Sequence, residues 1–78
     1  MNNKNYKTTD IILAACLRLK GYEMTDIELV GSKGTFCFKD ISDEILTDYD
    51  LGKCMVEPVS FNNTIKQLTT SVRRMTRT

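Results

Sequence analysis

Residues 27–39 read IELVGSKGTFCFK. Ile27 and Leu29 flank Glu28, and after Gly31-Ser32-Lys33-Gly34 the alternation resumes through Thr35, Phe36, Cys37, Phe38 and Lys39. Successive side chains of a strand point to opposite faces, so Phe36 and Phe38 share one side. Two alternating runs joined by a glycine-rich tetrad predict a β-hairpin. Its apolar face needs a cover.

The flanking segments supply one. Upstream, Thr8 or Thr9 is placed to cap a helix beginning at Asp10, an acid suited to a first turn. In the run that follows, Ile12, Ala15, Cys16 and Leu19 share a face, with Leu13 and Leu17 beside them. Only Arg18 and Lys20 are clearly polar, so this helix should be covered on most sides, and Gly21 offers a left-handed exit. Downstream, Asp40 or Ser42 can cap a short helix over about residues 43–50, with Ile45, Leu46 and Tyr49 as its apolar stripe and Gly52 near its end. The segment KCMVE, residues 53–57, reads as a short edge strand. Pro58 then suits the first position of a last helix. In that helix Phe61, Ile65, Leu68, Val72 and Met75 recur at steps of four, three, four and three. The expectation is a small single α+β domain in the order α-β-β-α-(β)-α, a hairpin with a third short strand at 53–57 packed against helices. Residues 1–7 are expected as a flexible lead, 8–76 as the domain and 77–78 as a tail.

Composition narrows the chemistry. The chain of 78 residues has no histidine, which removes the commonest general base and metal ligand. Cys16, Cys37 and Cys54 are an odd set at wide spacing, expected to be reduced, with Cys16 and Cys37 in the core. The acidic run DISDEILTDYD lacks the glycine and terminal glutamate of a calcium loop, and GSKG lacks the spacing of a phosphate loop. No catalytic, cofactor-binding or metal-ligating residue is assigned, and an enzyme is not expected. The opening MNNKNYKTTD has no apolar core of a secretory signal, and no run approaches the roughly 18 apolar residues of a membrane span. A cytoplasmic protein is expected.

The charge is polarised although the net is only +1. Residues 40–57 carry six acids and one base, whereas residues 58–78 carry four bases and no acid. Lys66, Arg73, Arg74 and Arg77 are therefore the candidate surface for nucleic acid or an acidic partner, and Asp43, Glu44, Asp48 and Asp50 a candidate acidic interaction face. At about 100° per residue, Lys66, Arg73 and Arg77 fall within about 60° of one another, with Arg74 about 100° beyond Arg73. The same cations could instead complement the helix dipole, or dock on the acidic segment of this chain or a second copy.

The stretches YKTTDIILAACLRLKGYEM, GTFCFKD and DYDLGKCMVEPVSFNNTIKQL together resemble a family of small uncharacterised proteins of bacterial, archaeal and phage genomes, known only as a domain of unknown function. The pattern is a Thr-Thr-Asp helix start (Thr8, Thr9, Asp10), a Gly-Tyr exit (Gly21, Tyr22), a Thr-Phe-x-Phe strand (Thr35, Phe36, Phe38) and a late helix with Phe61 and Leu68. The likeness spans about residues 6–75; Gly34 before Thr-Phe and Cys37 between the phenylalanines depart from the pattern. The resemblance implies a phage or mobile-element setting and brings no catalytic residues. With it, the expected function is that of a non-enzymatic accessory protein binding a protein, host machinery or itself as a homodimer. The alternative is a nucleic-acid-binding accessory factor using the basic C-terminal helix.

Overall fold

The hairpin forms where the alternation placed it. The computed structural model describes residues 4–76 as β1 (Lys4–Thr8), α1 (Ile11–Leu19), β2 (Met24–Val30), β3 (Lys33–Ile41), α2 (Asp43–Asp50) and α3 (Pro58–Thr76). The fold is α+β, in the order β-α-β-β-α-α. The sheet is antiparallel with strand order β1-β3-β2.

The third strand is therefore not the one expected. Residues 53–57 are irregular, and Lys4–Thr8, with residues 4–7 expected in a flexible lead, pairs with β3 instead. The hairpin turn is tighter than the tetrad suggested. Val30 pairs with Lys33, leaving Gly31-Ser32 as a two-residue loop with Gly31 at φ +67°. A positive φ at the first central position is what a type II′ turn requires, and glycine adopts it without cost from a Cβ.

Two register shifts shape the inner face. Between Phe38 and Ile41, β3 has one residue more than β1, and Asp40 in this bulge takes φ +58°. Alternation from Phe36 and Phe38 would have turned residue 40 inward; the extra residue turns Ile41 inward instead, where it is fully buried. A second shift lies in β2 between Met24 and Asp26.

α1 and α3 pack together over this face. Leu13, Ala14, Ala15, Cys16 and Leu17 are all buried in α1, as a helix covered on most sides requires, whereas Ile12 is 43% exposed. Asp10 caps the helix rather than opening it: its carboxylate accepts from the N–H groups of Ile12 and Leu13 and from the Tyr49 hydroxyl, the last at 3.0 Å. Burial, then this bond, raises the Tyr49 phenol above its ordinary pKa. α1 and α2 end alike. Tyr22 N–H donates to the Leu17 carbonyl and Gly21 N–H to Arg18, and Lys53 and Gly52 donate in the same way to Asp48 and Tyr49. The core joins Phe36, Phe38, Ile41 and the α1 residues to Leu68 of α3.

Glu57 starts α3. Its carboxylate accepts from the N–H groups of Val59 and Ser60 and from the Ser60 hydroxyl, at 2.8–2.9 Å. These bonds, the backbone ones first, hold its pKa below the usual 4.5. The cap stabilises fully above that value and is lost as pH falls through the lowered one. Glu57→Gln should lower the melting temperature near neutrality, and the gap to the parent should shrink as pH falls below 4.5. Melting curves across that range check this; a gap independent of pH would remove the carboxylate from the cap.

The other sheet face is polar. Cys37 lies there between Lys7 and Asp26 in the register, beneath the Lys7–Glu28 ion pair at 3.2 Å. It is buried, as expected, but on the side away from α1. Burial and then Glu28 raise its thiol pKa, and the hydrogen bond to Glu28 raises that of Lys7. Cys16 and Cys54, expected as separate thiols, are joined through their Sγ atoms. Cysteine spacing could not reveal this, because the link joins the middle of α1 to the irregular segment before α3, 38 residues on.

Candidate functional site

α3 lies with Thr64 and Leu68 buried, and its two flanks face different neighbours. On one flank it forms an open groove of about 690 Å³ with α1 and β2. Lys66 and Arg74 line it from α3, about 12 Å apart along the helix axis. Arg18, from the last turn of α1, lines it with them. The rest of the wall is amide and hydroxyl, from Asn63, Gln67, Thr70 and Ser71, over the apolar Ile27 and Leu68. No acidic and no aromatic side chain lines it. Among the described residues, none of the three cations has an ion pair.

On the other flank Arg73 lines a smaller recess of about 280 Å³ with Lys33, Thr9, Ile11 and Val72. This rearranges the expected line. The helical wheel grouped Lys66 with Arg73 and set Arg74 apart; the fold groups Lys66 with Arg74 and sends Arg73 to the opposite flank. Arg77 lies outside the described residues. Thr64, omitted from the apolar seam as polar, is only 8% exposed, its hydroxyl donating to the Ser60 carbonyl one turn back. A threonine satisfied by its own helix is buried like an apolar residue, and it joins Leu68 on the buried face of α3. Arg18 was not foreseen, because nothing local links it to residues 66 and 74.

The acidic segment does not meet these cations. Asp43 pairs with Lys4 at 3.2 Å, while Glu44, Asp48 and Asp50 are exposed without an ion pair among the described residues. The docking of the basic helix on the acidic segment of the same chain is thus not what forms. Among the described residues no group of His, Cys, Asp and Glu could hold a metal ion, and no helix is long and apolar enough to cross a membrane.

A family profile matches residues 3–74, nearly the whole fold just described. The chain belongs to the family described as Domain of unknown function (DUF5659). No curated protein and no solved structure matches the chain. The family description assigns no activity.

Proposed function

We propose that this DUF5659 protein is a non-enzymatic binding module that seats the phosphate backbone of nucleic acid in the groove of Arg18, Lys66 and Arg74. The observation that carries this is the meeting of three cations, without an ion pair among the described residues, with a wall of amides and hydroxyls that contains no acid. Phosphate and sugar oxygens are bound by this mixture of Arg, Lys, Ser, Thr, Asn and Gln side chains. With no aromatic in the groove, base stacking adds nothing, so a duplex should bind at least as well as a single strand.

Fluorescence anisotropy with labelled duplex, single strand and polyglutamate tests it. Three phosphate contacts predict a log–log salt slope of about −2.7, or about 40-fold weaker duplex binding between about 50 and 200 mM salt. No duplex binding at the lower salt, or equal binding to polyglutamate, overturns it; the latter would make the groove a site for acidic protein.

A protein partner, or a second copy, is the other reading. Leu51, Met55 and Val59, 62%, 76% and 65% exposed, fall on or beside the irregular segment before α3. Light scattering separates its homodimer form: a mass of 8.9 kDa, that of one chain, counts against it.

A further inference from the structure

Cys16 sits in the middle of α1, 3% exposed, and Cys54 is half-buried in the segment between α2 and α3. Their Sγ atoms are joined across 38 residues of sequence. Residues 53–57 have neither helix nor strand. The segment is tied at its ends, by the Lys53 N–H to the Asp48 carbonyl and by the Glu57 cap, and between them through Cys54. It also carries the exposed Met55. A short irregular segment with few bonds of its own is the part of a domain that opens at least cost.

We infer that the Cys16–Cys54 link is a redox-operated clasp: closed, it pins residues 53–57 to α1; opened by thiols, it releases that segment while the sheet, α1 and α3 stay folded. The device is independent of what the groove binds.

The chemistry is thiol–disulfide exchange with a low-molecular-weight disulfide. Cys54, the more exposed of the two, attacks first as the thiolate; one small thiolate leaves and takes up a proton, and a mixed disulfide remains on Cys54. Cys16 then gives up its proton and attacks the Cys54 sulfur, expelling the second small thiol. Two cysteine thiols are oxidised and one small disulfide is reduced to two thiols. Cys37 is a poor competitor, being 6% exposed on the other face of the sheet under Lys7 and Glu28.

The full chain would be equilibrated in defined mixtures of small thiol and disulfide, alkylated after denaturation, and weighed intact. One alkylated cysteine is expected in the oxidised form and three in the reduced form, with a fall in melting temperature on reduction on the order of 10–20 °C. Trypsin cleavage after Lys53 should appear in the reduced form and be lost in the oxidised one. Cys54→Ser should fold, melt at the reduced protein's temperature and lose its response to reductant; Cys37→Ser should keep that response. Three alkylated cysteines in every mixture would overturn the clasp, as would melting and Lys53 cleavage that ignore reductant.

Discussion

Gly34→Ala should lower stability by about 1–3 kcal/mol, and that cost should vanish when Val72 is also alanine. A Cβ built on Gly34 would stand 2.5 Å from Val72 Cγ2 and 3.4 Å from Cγ1. The backbone is not the obstacle: Gly21, Gly31 and Gly52 have positive φ, and Gly34 does not. Nor can Val72 swing aside, because a β-branched side chain in a helix has one strongly preferred rotamer. The helix itself must move off the strand, disturbing the layer that buries Phe36 and Leu68. A domain of this size has a total stability of roughly 4–12 kcal/mol, so the single change is a large fraction of it. Val72→Ala alone should cost about 1–2 kcal/mol for its half-buried methyls. With Val72 trimmed, alanine at 34 is neutral or better, since glycine inside a strand is disfavoured by about 0.5–1 kcal/mol. Urea denaturation of the four proteins gives the cycle. Additive costs would mean that α3 does not rest on Gly34.

That contact also marks what sequence could and could not disclose. The hairpin, α1, α2 and α3 were legible because each carries a local period: two in 27–39, between three and four in Phe61, Ile65, Leu68, Val72 and Met75. β1 was not, because KNYKT has no apolar alternation; only Tyr6 and Thr8 are half-buried, and β3, which holds the strand, lies about 30 residues away. The segment 53–57 misled for the opposite reason. Cys54, Met55 and Val56 suit a strand, but Cys54 is drawn onto α1 and no sheet edge receives them. The bulge at Asp40 shifted a face by one residue and the burial of Thr64 placed a polar residue on another, which periodicity alone does not resolve. The candidate site depended on both kinds of information. Lys66 and Arg74 were visible as residues, but their grouping with Arg18 required the packing of α1 on α3.

Removing Arg18 or Arg74 should weaken duplex binding, while removing Arg73 should not. Each of Arg18→Gln, Lys66→Gln and Arg74→Gln deletes one of three phosphate contacts, so each should reduce the salt slope by about one, and the triple variant should lose measurable binding at about 50 mM salt. Arg73→Gln is the decisive comparison. Arg73 and Arg74 are neighbours in the last turn of α3, equally placed to complement its dipole, yet they face different flanks. A purely structural role at the helix end predicts similar small stability losses for both, about 0.3–1 kcal/mol, and no effect on binding from either. A contact running along the helix, as the wheel drew it, makes Arg73→Gln the damaging change and leaves Arg18→Gln silent. The groove makes Arg18 and Arg74 act together although 56 residues separate them. All four side chains being exposed, the variants should melt close to the parent, so a change in anisotropy reports the surface and not the fold. Silence of Arg18→Gln would overturn the groove even if the protein binds DNA, because then α3 alone would carry the contact.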